Sequence, residues 1–224
     1  MISKKSICET PAGQKKHLNP TGTSHSSESH PLSGEIQHFD MKEERKYNYI
    51  MSMQQLMEIY KYGEEVLKQK GSNIKNINQD IIDLIEKMKN TMHGTPNAVG
   101  LAAPQIGISL MLSVIDISMG EDENEFTILL NPFIAENEGE ETDSEGCLSF
   151  PNISLDINRN KKILLKGIDI NGKEYEKEYS GFMARAIQHE IDHLNGILIA
   201  DHVSPLKRQM LKKEIKKLKK NGEW

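Results

Sequence analysis

The stretch 181–196 reads GFMARAIQHEIDHLNG. It predicts a helix from about Gly181 to Asn195, closed by Gly196, because glycine tolerates the left-handed turn that ends many helices. Inside it stands His189-Glu190-Ile191-Asp192-His193. Four residues are close to one helical turn, so both imidazoles project from one face and can bind one metal ion. Glu190 follows the first histidine directly, which lets its carboxylate reach a water in an open coordination position. Phe182 and Ala186 precede His189 by seven and three residues. They share its side of the helix, either as pocket lining or as ordinary core. Arg185 and Asp192 read most simply as structural charge pairs.

The histidine pair is only moderately specific, since solvated helix histidines reproduce it by chance. A catalytic site of this kind needs a third protein ligand and one open position. The long motif HExxHxxGxxH fits as far as Gly196 but requires His where the chain has Ile199. Glu214 sits in a Lys-rich amphipathic run and reads as a surface charge. Cys147 is the third candidate, in Glu145-Gly146-Cys147-Leu148-Ser149, a thiol between a glycine and an extended stretch. A thiolate suits Fe(II) or Zn(II) and stays deprotonated on the ion; the bland alternative is a small buried hydrophobe. Gly100-Leu101-Ala102-Ala103-Pro104-Gln105 adds small residues that let backbone approach closely, with the Gln105 amide as a donor. Its bland reading is a tight turn with Gln105 in solvent.

Working outward, residues 77–93 place Ile81, Leu84, Ile85, Met88 and Met92 on one helical stripe, with Asn78 as N-cap and Gly94 at the C-terminal end. Apolar stretches at 110–116, 126–131, 162–170 and 175–179 read as short strands, and Asn171-Gly172 as a hairpin turn. The acidic residues 121–145 read as a solvated loop and edge region. A last helix, about Pro205 to Lys220, carries Leu206, Met210, Leu211, Ile215 and Leu218 on one face. The fold class expected is α+β: short antiparallel strands packed around a central helix bearing HExxH, with a C-terminal helix.

The chain of 224 residues has room for one domain with a core plus some unstructured chain. With 28 Lys+Arg against 33 Asp+Glu, no global basic field points to nucleic acid. No apolar run approaches the ~18 residues of a membrane span, and residues 1–30 hold no secretory core. Two cysteines, Cys8 and Cys147, fit a reducing compartment better than a disulfide framework. Residues 1–46 lack any apolar period and read as a disordered extension or a start annotated too early, with Met41, Met51 or Met53 as alternatives. Their histidines, His17, His25, His30 and His38, are irregularly spaced. The domain scheme expected is 1–46 extension, 47–204 catalytic domain and 205–224 basic helix.

Taken in order, three segments resemble the peptide deformylase family, whose motifs read GxGLAAPQ, EGCLS and QHExDHLxG. They stand here as Ala98 to Gln105, Glu145 to Ser149 and Gln188 to Gly196. The likeness runs from roughly Ile59 to Val203. It implies a metal-dependent hydrolase that removes the formyl group from the N-terminal formylmethionine of newly synthesised proteins, releasing formate. It further implies one divalent ion per chain held by Cys147, His189 and His193, with Fe(II) expected and Zn(II), Ni(II) or Co(II) accepted by the same donors. Glu190 would move the proton, and the Gln105 amide and Leu148 backbone N–H would face the oxyanion. The substrate would lie extended along Gly100 and the Gly146–Leu148 segment, with Phe182 and Ala186 in the methionine pocket.

Two positions depart from the family pattern. Ala98 stands where the first motif opens with Gly, so a positive φ there would be strained. Phe150 stands where a smaller aliphatic residue is more common. The resemblance also implies nascent N-formylmethionyl peptides as partners and no membrane. The basic face of Lys207, Arg208, Lys212, Lys213, Lys216, Lys217, Lys219 and Lys220 reads most simply as a solvated helix face, with ribosomal RNA as the partner it would suit in an enzyme acting on nascent chains. The compartment expected is the bacterial cytoplasm, or an organelle if residues 1–46 are a transit peptide. A protease cutting internal bonds would share HExxH, but Ile199 and Cys147 argue against it.

Overall fold

A computed structural model describes residues 56–224. The expectations placed on residues 1–46, on Cys8 and on the four N-terminal histidines lie outside the described residues, as do the alternative starts. Helix α1 (Gln79–His93) begins where the Asn78 side chain accepts from the Ile81 N–H, satisfying one of the orphan amides of the first turn. It closes at Gly94, whose backbone stays right-handed (φ −77°). Seven strands follow: β1 (Gly100–Ala102), β2 (Leu112–Asp116), β3 (Phe126–Glu138), β4 (Glu141–Cys147), β5 (Phe150–Arg159), β6 (Lys162–Ile168) and β7 (Glu174–Ser180). Helices α2 (Gly181–Leu194) and α3 (Pro205–Asn221) complete the chain.

Five strands form one antiparallel sheet in the order β1-β2-β3-β6-β7, and β4 and β5 form a separate hairpin. Strand β2 is buried on both faces, and its alternation divides two cores. Leu112 and Val114 join Met88 and Met92 of α1, while Ile115 joins Ala184, Ile187 and Ile191 of α2. The sheet is therefore sandwiched between α1 and α2. A third core lies under the hairpin, where Ile153, Leu155 and Ile157 of β5 meet Leu211 and Ile215 of α3.

The α+β expectation holds, with two local corrections and one open alternative decided. The acidic region 121–145 is largely strand, covering much of β3 and β4. Apart from the buried Glu145, the charges on these strands occupy exposed faces, and strand pairing satisfies the backbone regardless of side-chain polarity. On α3, Leu211 and Ile215 are buried, but Leu206 and Met210 are 68 % and 62 % exposed. At 100° per residue those two sit roughly 100° or more round the helix from the other pair, so one stripe cannot hold all four. Third, Ala98 does not carry a positive φ; the left-handed residue is its neighbour Asn97 (φ 60°), a type that tolerates this conformation. Among the described residues no helix is long and apolar enough to cross a membrane.

Candidate metal centre

Helix α2 brings His189, Glu190 and His193 to one end of the sheet, and Gly196 (φ 72°) ends it. A Cβ at Gly196 would lie 2.5 Å from the Lys68 carbonyl oxygen, so both backbone conformation and space demand glycine there. The tip of the β4–β5 hairpin supplies Cys147. Its Sγ lies 3.2 Å from His193 Nε2, which lies 3.2 Å from His189 Nε2. The three donor atoms fall within 4.8 Å of one another. Two nitrogens bound tetrahedrally at about 2.0–2.1 Å would sit about 3.4 Å apart, so the spacing fits one divalent ion. One sulfur and two imidazoles match a borderline-soft metal.

The two histidines differ behind the site. His189 Nδ1 is 2.9 Å from Glu145 Oε2, whereas His193 Nδ1 is buried without a partner among the described residues. Glu145 also accepts from Arg159 Nε (2.9 Å) and Nη2 (3.0 Å), and from Arg185 Nη1 (2.7 Å). Arg159 donates onward to Asp192, which His202 Nε2 meets from outside at 2.6 Å. Burial alone would raise the Glu145 carboxyl, but the bonds from His189 and Arg159 outweigh it and hold it well below the carboxylate range. Gln188 lies outside the ion cluster: its amide pairs with both the N–H and C=O of Asn160, pinning α2 to the β5–β6 turn.

Glu190 has the opposite surroundings. It is 4 % exposed, its Oε2 has no partner among the described residues, and it faces a cavity of about 720 Å³. Burial pushes its carboxyl up to about 7, against the attraction of His189 and Arg159. Strand β1 passes so close that a Cβ at Gly100 would overlap Glu190 Oε1. Gln105, 1 % exposed, lies beneath the hairpin tip rather than in solvent. Its Oε1 accepts from Ala102 N–H (2.9 Å), and its Nε2 donates to Ser149 Oγ (3.2 Å) and towards Cys147 Sγ (3.7 Å).

Gly100, Gln105, Gly146, Cys147, Leu148, Phe182, His189 and Glu190 all border the cavity, while His193 lies just behind as part of the ion cluster. Ala186 does not border it; it is buried in the core between α2 and the sheet. Its three-residue offset rotates it about 60° from His189, whereas Phe182 at seven residues returns to about 20°. Arg159 escaped the motif reading, although a signal existed. It occupies the inward phase of the alternation Ile153, Leu155, Ile157, Arg159, and a charge on a buried phase calls for partners.

Comparison with known proteins agrees with this geometry. A family model described as polypeptide deformylase matches residues 56–209. A peptide deformylase of Thermodesulfovibrio yellowstonii is 47 % identical over 161 residues, covering 72 % of this chain and 97 % of the relative. The crystal structure of a peptide deformylase from Legionella pneumophila shares 38 % identity at a TM-score of 0.69, covering 75 % of this chain and 97 % of that one. One from Thermotoga maritima shares 39 % identity at 0.62, covering 67 % and 99 %.

Proposed function

The chain belongs to the polypeptide deformylase family, which removes the N-formyl group from nascent peptides, and from that premise we propose which residues carry the reaction here. The supporting observation is the convergence of Cys147, His189 and His193 beside a buried carboxylate, Glu190, that faces the same cavity. These three side chains hold the ion, with Fe(II) as its physiological identity; Zn(II), Ni(II) and Co(II) suit the same donors. When bound, the ion polarises the formyl carbonyl and lowers the pKa of water from about 15.7 towards about 7.

The remaining work falls to the chain's own groups. Glu190 takes a proton from the attacking water as its oxygen adds to the formyl carbon. Its buried setting favours the protonated carboxyl, which then returns the proton to the amine nitrogen as the C–N bond breaks. Formate and a free amino terminus leave. The Gln105 amide and the Leu148 backbone N–H face the developing oxyanion, each such donor contributing about 2.7–4 kcal/mol. The peptide lies extended past Gly100 and Gly146, with Phe182 at the apolar rim.

The catalytic domain in this reading is residues 47–204, with the basic helix 205–224 appended and ribosomal RNA as its partner. The compartment is the bacterial cytoplasm. Anaerobically purified protein should carry about one ion per chain, iron by elemental analysis, and release formate from formyl-Met-Ala-Ser. Cleavage of an internal bond in a longer unformylated peptide, without formate release, would overturn the assignment. Unchanged ribosome co-sedimentation after deletion of residues 206–224 would remove the RNA partner.

A further inference from the structure

The segment following α3 reaches the wall of the cavity. At Gly222 (φ 75°) the chain turns back on the last helical turn, and the Glu223 N–H donates to the Leu218 carbonyl at 3.0 Å. The return lays Trp224 edge-on against Phe150, with ring centroids 6.4 Å apart and planes at 86°. Lys219 Nζ sits 5.6 Å over the indole. Tyr62 packs on the same phenylalanine at 4.8 Å, and its N–H donates to the Ser149 carbonyl. The Glu223 carbonyl accepts from Asn152 Nδ2 at 3.4 Å.

The residues gripped in this way belong to an irregularity beside the ion ligands. Gly146 pairs with Ser154, but the next ladder pair is Cys147 with Phe150, so Pro151, Asn152 and Ile153 bulge out of the hairpin. Asn152 takes a positive φ of 61° at the centre of the bulge. Residues 150–154 all line the cavity. A bulge next to a site re-aims the strand, and its shape rests on contacts outside the ladder. Leu211 and Ile215 supply the buried packing between α3 and β5, whereas Trp224 stays partly exposed and packs on Phe150, where the bulge begins.

We infer that Trp224 is a positioning residue that holds the 150–154 bulge in the shape receiving the peptide portion of the substrate. This rests on the reading of the cavity as the peptide site. Phe150 is the link: its ring is fixed from outside by Trp224 and Tyr62, while its backbone pairs with the ligand Cys147. The larger side chain at position 150 is what gives the indole something to grip.

Trp224 is the only tryptophan of the chain, so its emission reports on this contact without labelling. In the metal-loaded full chain, Trp224→Ala should raise KM for formyl-Met-Ala-Ser by roughly three- to tenfold, the range expected from one aromatic pair. The value of kcat and the metal content should stay unchanged, and Trp224→Phe should restore KM. Formyl-Met-Ala-Ser titrated into metal-loaded Glu190→Gln should shift the Trp224 emission with saturation. An unchanged KM in Trp224→Ala would overturn the inference. So would emission that stays still while calorimetry records binding, or a joint loss of kcat and metal that phenylalanine does not restore. If the unaltered chain released no formate, the activity reading would fail separately, and the emission titration would still judge the contact.

Discussion

Glu145 and Glu190 are both buried, both lie beside His189, and their ionisation is pushed in opposite directions. Glu145 sits on the hairpin side, where two arginines and an imidazole surround it. Glu190 sits on the sheet side, against the bare backbone of Gly100 and an open cavity. The difference is one of satisfied acceptors. A carboxylate with every lone pair met by a cation is stable as an anion even when dry, and it orients what it touches. A carboxylate left buried and without a hydrogen bond among the described residues favours its protonated form, which is what a proton carrier near neutrality requires. In the proposed reading, one side of the centre holds and the other reacts.

The largest effect should come from the reactive side. Glu190→Gln should cut formate release by about 10²–10⁴-fold while metal analysis still finds a full equivalent. Substantial remaining turnover would transfer the proton role elsewhere. Next, Gly100→Ala should lower kcat by roughly 10²-fold without loss of metal, because the added methyl displaces the Glu190 carboxylate; an unchanged kcat would mean the close approach has no catalytic consequence.

On the holding side, Glu145→Gln should weaken metal affinity by about 10–100-fold in a chelator competition, since His189 loses its orienting partner. If affinity held while turnover collapsed, the two carboxylates would not divide the work as argued. The smallest effect is thermodynamic and is read on the metal-free chain. A carboxyl raised from 4.5 to about 7 makes the folded state bind a proton the unfolded state releases, so stability should fall as pH rises from about 4.5 to about 7. Denaturant midpoints for Glu190→Gln should lose that decline. Glu145 has the opposite sign: its contribution is present above the ordinary 4.5 and disappears as pH drops below it. Glu145→Gln should therefore flatten the acid limb.

Much of this was legible in the linear chain because it rests on local periodicity. The four-residue spacing of His189 and His193 guarantees a shared helical face, and Asn78, Asn171-Gly172 and Gly196 mark boundaries through their own backbone preferences. The antiparallel α+β class follows from short alternating segments and the turns between them. Helix faces were less legible, as Ala186, Leu206 and Met210 show. A residue about 60° or more round the helix from its presumed companion turns out elsewhere in space: Ala186 in the core rather than at the cavity, Leu206 and Met210 in solvent.

What the tertiary structure alone decided are the meetings across long separations. Cys147 and His193 are 46 residues apart, and only the bulged register of the β4–β5 hairpin against α2 brings sulfur and nitrogen to 3.2 Å. The same register sends Arg159 inward to Glu145, and the packing of β1 on α2 closes Gly100 over Glu190. Sequence spacing fixes direction within one element, because the backbone repeat is rigid. Which elements meet, and at what offset, is set by the summed burial of three cores, and no local pattern encodes that sum.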